Sequence, residues 1–125
     1  MGKKYLIDTN VLIDAQMSRL PKESLSFLTN VIDQNFTVSF ITRIEFLGYK
    51  DITKSSEDFI SLASVIGIDD SIVDTCIHLR RTRKIKIPDA IIAATSLTHN
   101  LTLITRNTSD FYNILNLKLI DPYNL

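Results

Sequence analysis

The sequence predicts an α/β domain in which a mostly parallel central sheet is covered by helices. Three observations lead there. Short apolar runs alternate with longer segments of helical period, the pattern of strands joined by crossover helices. Only three Gly and three Pro occur in 125 residues, so most of the chain sits in regular elements. Hydrophobic residues make up 45% and charged residues 22%, an ordinary globular mixture. A chain of this length forms one domain, residues 1–125, and buries roughly two-thirds of its unfolded surface without needing disulfides or a structural metal.

Taken in order, Tyr5-Leu6-Ile7 reads as a short buried strand, and Val11-Leu12-Ile13 opens a helix after it. Leu25, Leu28 and Ile32 recur at helical spacing behind Pro21. Phe36 to Ile41 alternates as a strand, and Thr42 then starts a helix carrying Ile44, Phe46 and Leu47. Phe59, Ile60, Leu62, Ala63 and Ile66 mark a further helix that Gly67 stops, with Ile66-Gly67-Ile68 available as a short strand. Asp69 or Asp70 caps a helix running to the basic segment near Arg83, and Pro88 starts another through Leu97. Leu101 to Thr105 and Leu117 to Ile120 complete the strands. Tyr5, Phe27, Phe36, Phe40, Phe46 and Phe59 belong mainly to the core.

Composition excludes several functions. Lys+Arg and Asp+Glu both count 14, so no whole-molecule basic footprint for nucleic acid exists, although a local patch remains open. Cys76 stands alone, which rules out an internal disulfide and suits a reducing compartment. No apolar run approaches the ~18 residues of a membrane span, and three apolar residues before Asp8 are too few for a signal-peptide core. The expectation is a soluble, cytoplasmic protein with no membrane partner. No Gly-rich turn follows the first strand, which disfavours dinucleotide binding. A phosphatase of the haloacid dehalogenase type would need an acid where this chain has Asn10.

Ligands of parallel α/β sheets gather beyond the C-terminal ends of the strands. Asp8 directly follows the first strand, Glu45 comes shortly after the second, Asp89 opens a helix, and Asn107 and Asp110 follow the strand ending at Thr105. If the four acids converge, mutual repulsion calls for a cation, because two carboxylates at ~4 Å cost about 4 kcal/mol at an effective dielectric of ~20. Oxygen donors without His or Cys favour Mg2+ or Mn2+, and such an ion suits phosphodiester hydrolysis. Each acid has a structural alternative. Asp8 can cap a helix, Thr42-Arg43-Ile44-Glu45 fits a capping box, Asp89 complements a helix dipole, and Asn107 and Asp110 suit a turn and an N-cap. Arg80, Arg81, Arg83, Lys84 and Lys86 form the densest basic cluster, either a phosphate-contacting edge or a solvated helix end. Arg43 and Arg106 stand nearer the acids. His78 and His99 are isolated and fit surface roles.

These residues carry a resemblance. Leu6-Ile7-Asp8-Thr9-Asn10-Val11-Leu12-Ile13-Asp14 resembles the opening motif of the PIN domain. Ile41-Thr42-Arg43-Ile44-Glu45-Phe46-Leu47-Gly48 resembles its second motif, and Ile87-Pro88-Asp89-Ala90-Ile91-Ile92-Ala93-Ala94-Thr95 its third. Leu103-Ile104-Thr105-Arg106-Asn107-Thr108-Ser109-Asp110-Phe111 resembles the fourth. Order, spacing and length are similar to VapC-type toxins of toxin–antitoxin pairs. The resemblance implies a flavodoxin-like three-layer fold, a Mg2+- or Mn2+-dependent endoribonuclease acting on RNA, a cognate antitoxin that blocks the site, and frequently a homodimer. It implies Asp8 and Asp89 as metal ligands and Glu45 as the second motif's acid. Asn107 or Asp110 serves as the fourth motif's polar group, and Asn10 and Thr105 as supporting residues. The alternative is a catalytically silent PIN-like domain that binds RNA or protein.

Overall fold

The computed structural model describes residues 3–125. Five strands are present: β1 (Tyr5–Ile7), β2 (Thr37–Ser39), β3 (Ser64–Ile66), β4 (Thr102–Ile104) and β5 (Leu119–Ile120). Six α-helices connect them: α1 (Thr9–Gln16), α2 (Lys22–Asn35), α3 (Phe40–Leu47), α4 (Lys54–Ile60), α5 (Asp70–Thr82) and α6 (Ile87–Thr98). A 3-10 turn spans Thr108–Phe111.

Every paired strand runs parallel to its neighbour. Leu6 stands against Leu103, Leu103 against Leu119, and Val38 against Val65. The β2–β3 ladder lies beside the β1–β4–β5 ladder through β1 and β2, which places the N-terminal strand at the centre. Successive residues of a strand face opposite sides, and the core divides accordingly. Leu6 and Leu103 pack with Ile72, Leu79, Ile92 and Phe111 from α5, α6 and the 3-10 turn. Ile7 and Ile104 pack with Val11, Leu12, Leu28 and Phe46 from α1, α2 and α3. The three-layer α/β class predicted from the sequence is therefore the observed one. Phe36 and Phe46 are buried, Tyr5, Phe27 and Phe59 are half-buried against the second cluster, and Phe40 is half-buried.

Several element boundaries differ from the sequence reading, each for a local reason. The second strand stops at Ser39, whose hydroxyl accepts the Ile41 amide hydrogen and caps α3, so Phe40 and Ile41 belong to the helix. Thr42 consequently lies inside α3, completely buried, and is not its cap. The apolar recurrence between Phe59 and Ile66 is no single helix. It combines the end of α4, capped at its start by Thr53, with β3, whose Ile66 pairs with Ser39. At the end of α6, Asn100 takes the left-handed conformation at φ 54°. That turn is open to asparagine as well as to glycine.

Candidate metal centre and nucleic-acid cleft

Asp8 leaves β1 and becomes the N-cap of α1. Its Oδ1 accepts the Thr9 amide hydrogen at 2.8 Å, so the capping alternative is realised. Capping accounts for only one of its oxygens. Oδ2 accepts hydrogen bonds from the Thr105 hydroxyl at 2.8 Å and the Asn10 amide at 3.2 Å. Thr105 and Asn10, two of the residues named as supporting, thus both touch Asp8. Asn10 also accepts the Arg106 main-chain N–H at 3.3 Å, and Thr105 Oγ1 accepts that of Asn107 at 3.1 Å. Asp8 is nevertheless 5% exposed. Burial drives its pKa up to about 6, against the lowering effect of Thr105 and Thr9, and the charges of Asp89 and Glu45 push the same way.

Glu45 sits in the second turn of α3, exposed, and makes no capping box. The Thr9 hydroxyl donates to Glu45 Oε1 at 2.6 Å, and the Thr42 hydroxyl lies 3.1 Å from the same Thr9 oxygen. Thr9 thus bridges two neighbourhoods: its amide serves Asp8 and its side chain serves Glu45. A strand-to-helix turn at residue 8 and a helix following β2 bring these groups together across 36 positions of sequence.

Asp89 occupies the first turn of α6, where the helix dipole favours a negative charge. Ile87 is the first helical residue and Pro88 the second, where a missing N–H costs nothing. Burial raises the Asp89 pKa, Asp110 and Glu45 raise it further, and Lys86 opposes them. Asp110 lies in the 3-10 turn and is exposed, as is Asn107. Asn107 precedes the turn without a side-chain capping bond.

Asp89 and Asp110 line a cleft of about 500 Å3 together with Ser109, Arg80, Lys84 and Lys86. Three members of the basic cluster therefore border acids. Arg83 turns away and donates to the carbonyls of Tyr112 and Asn113. Asp8 and Glu45 lie outside that lining, coupled to Asp89 by charge. Among the described residues no three acid, His or Cys side chains are gathered as a ready-made metal cage. The donor set still fits a hard divalent ion. It is all oxygen, and it includes Asp8 and Asp89, whose ionisation is opposed by burial and by neighbouring carboxylates, a cost that a cation would relieve.

One hub was quoted in the first motif without a role. Asp14, 2% exposed, accepts from Arg106 Nη1 at 2.8 Å and from the Tyr123 hydroxyl, and Arg19 lies 3.8 Å away. Arg106 is thus engaged with an acid outside the four. Tyr123, 109 positions from Asp14, carries no local signal of this contact.

The sequence model of the PIN domain matches residues 5–115. Among solved structures, the chain is 32% identical to one in a toxin–antitoxin complex from Klebsiella pneumoniae, with a TM-score of 0.76, covering 98% of this chain and 100% of that one. It is 26% identical to a chain of VapBC2 from Rickettsia felis bound to a DNA fragment from the promoter, with a TM-score of 0.76 and coverage of 93% and 96%. A chain of VapBC-1 from nontypeable Haemophilus influenzae is 25% identical, with a TM-score of 0.77 and coverage of 94% and 97%. A search of curated proteins gave no match.

Proposed function

The chain belongs to the PIN domain family, and from that premise we propose that it is a Mg2+- or Mn2+-dependent endoribonuclease, the toxin of a VapBC-type pair. The observation that carries the reading is the electrostatic conflict around Asp89. This half-buried acid is raised by its burial and by the charges of Asp110 and Glu45, at a cleft edged with Arg80, Lys84 and Lys86. A cleft lined by both acids and bases suits a phosphodiester whose reacting phosphate meets a cation and whose flanking phosphates meet lysine and arginine.

In this reading Asp8 and Asp89 hold the ion, with Thr105, Asn10 and the Thr9 amide fixing the Asp8 carboxylate. A divalent ion held there would supply positive charge to the phosphoryl oxygens and acidify water. Glu45, steadied by Thr9, takes a proton from the attacking water, and Asp110 orients that water with Asn107 as a neutral neighbour. The new bond joins the water oxygen to phosphorus. The bond from phosphorus to the 3′-oxygen breaks, and that oxygen takes a proton from solvent. The products carry a 5′-phosphate and a 3′-hydroxyl. A cognate antitoxin covers this cleft, the active form is a homodimer, and both work in the cytoplasm. The solved toxin–antitoxin complexes to which the chain is similar support the antitoxin.

The test is cleavage of a mixed cellular RNA pool, with Mg2+ and with chelator, wild type against Asp8→Asn. Metal-dependent cuts with 5′-phosphate ends, lost in the variant, are expected. Cleavage that survives chelation and leaves 2′,3′-cyclic phosphates would overturn the mechanism. RNA binding without any cleavage would favour the catalytically silent alternative.

A further inference from the structure

Asn10 stands between two partners that decide which way its amide points. Its Oδ1 accepts the Arg106 main-chain N–H at 3.3 Å, and its Nδ2 donates to Asp8 Oδ2 at 3.2 Å. A side-chain amide has one accepting end and one donating end. Turned over, Asn10 would set its oxygen against the Asp8 carboxylate and its NH2 group against the Arg106 N–H, losing both bonds at once. The aim of Asn10 at Asp8 therefore depends on where the Arg106 main chain lies.

The sheet does not hold that main chain. Past β4, the Thr105 N–H still donates to the Ile120 carbonyl at 3.0 Å, but the Arg106 N–H turns to Asn10 instead. Arg106 is anchored by its side chain, whose Nη1 donates to Asp14 Oδ2 at 2.8 Å. The Tyr123 hydroxyl donates to the same oxygen. Asp14 makes a firm anchor, since its side chain is only 3% exposed. Asn10 and Asp14 both belong to α1, four residues apart, and so lie one above the other on the same helix face. Arg106 thus spans one turn of α1, with its main chain on Asn10 and its guanidinium on Asp14.

We propose that this clamp makes Arg106 a positioning residue for the metal site: held by Asp14, it keeps the Asn10 amide donating to Asp8. The proposal rests on the metal-dependent reading above and deepens it. Arg106 acts through Asn10 and not on the ion. Tyr123, near the end of the chain, acts one step further back, by holding the Asp14 oxygen that Arg106 grips.

Mn2+ alone is the probe, its binding to the intact chain read from the free-ion signal in electron paramagnetic resonance, with circular dichroism confirming that each variant is folded. Arg106→Ala and Asn10→Ala should each weaken Mn2+ binding roughly tenfold. The double variant should bind no more weakly than Asn10→Ala, because the arginine then has nothing left to position. Arg106→Lys keeps a cation for Asp14 and should restore most of the affinity. An arginine that serves stability alone would lower the melting temperature and leave Mn2+ binding unchanged, and that result would overturn the positioning role while the metal site stood. So would effects of Arg106→Ala and Asn10→Ala that simply add. Wild type that binds no Mn2+ would overturn the metal reading and this proposal with it. A second readout needs neither metal nor variant. The Asn10 side-chain amide protons of wild type should exchange slowly with solvent by nuclear magnetic resonance. Rapid exchange there would refute the clamp even if Arg106→Ala failed to fold.

Discussion

Asp8 accepts three hydrogen bonds and still ionises only near pH 6, because burial outweighs them. Its folded pKa lies above the unfolded value of 3.8, so between pH 4 and 6 the native state binds more protons than the unfolded one. Stability without metal therefore falls as pH rises through that window, by about 3 kcal/mol, and stays low above it. Asp8→Asn should remove part of this cost. In chelator at pH 7.5 its unfolding free energy should exceed wild type by about 1–2 kcal/mol, with the gain disappearing at pH 4. Denaturant titrations at both pH values decide the matter, and equal stabilities at pH 7.5 would refute it. Metal affinity should run the other way, rising with pH through 6 as the carboxylate deprotonates. Glu45 is exposed. Glu45→Gln keeps an oxygen for the Thr9 hydroxyl, so its melting temperature should stay within a degree or two of wild type, roughly 0.5 kcal/mol. Cleavage should drop by about 100-fold or more, and an unchanged rate would remove Glu45 from the reaction. The sequence made these acids visible as candidates, since each falls in a recognisable motif at a strand end or helix start. It misread what Glu45 touches. A capping box needs the helix to begin at Thr42, and Ser39 starts it three residues earlier.

Elements are positioned by contacts that no local pattern announces. Asp14 on α1 ties together Arg106, in the loop after β4, and Tyr123, beyond β5. The Ser24 hydroxyl of α2 donates to the Pro122 carbonyl, so the segment after β5 is held at two points. Burial and the Asp14 carboxylate push the Tyr123 hydroxyl up to about 12, so it stays a donor at any physiological pH. Asp14→Ala leaves Arg106 and Tyr123 without their acceptor and should cost about 3 kcal/mol. Tyr123→Phe removes one donor to a buried carboxylate and should cost about 1–3 kcal/mol. Thermal melts of both variants check the ranking, and a Tyr123→Phe protein less stable than Asp14→Ala would contradict it. Strand and helix periods were read well where an element was long or flanked by a cap, as with α5 behind Asp69 and α6 behind Pro88. They were read poorly across Phe59–Ile66. There, five apolar residues fit a helical stripe as easily as a helix end followed by a strand, and only pairing with β2 separates the two.

For the molecule as a whole, the formal charge of zero conceals a gathering of acids and bases along one cleft. If Lys84 and Lys86 meet phosphates, Lys84→Gln and Lys86→Gln should each lower the slope of log affinity against log salt by roughly 0.7 for single-stranded RNA. Binding titrations from low to physiological salt measure that slope, and unchanged slopes would return both lysines to plain surface roles. The central pairing in the sheet has a separate consequence. β1 lies against β4, and Asp8 is held by Thr105 from 97 positions downstream. Contacts so distant in sequence form late, after a large loop closes. A chain still emerging from the ribosome with Asp8, Glu45 and Asp89 already outside has β2 beside β1 but lacks β4 and the hydroxyl that fixes Asp8. For the ribonuclease proposed above, synthesis itself acts as a safety catch: the site stays incomplete until β4 and Thr105 have been made. Ribosome-arrested chains ending before Leu101 should be inert toward RNA, and cleavage by them would show that the catch does not exist.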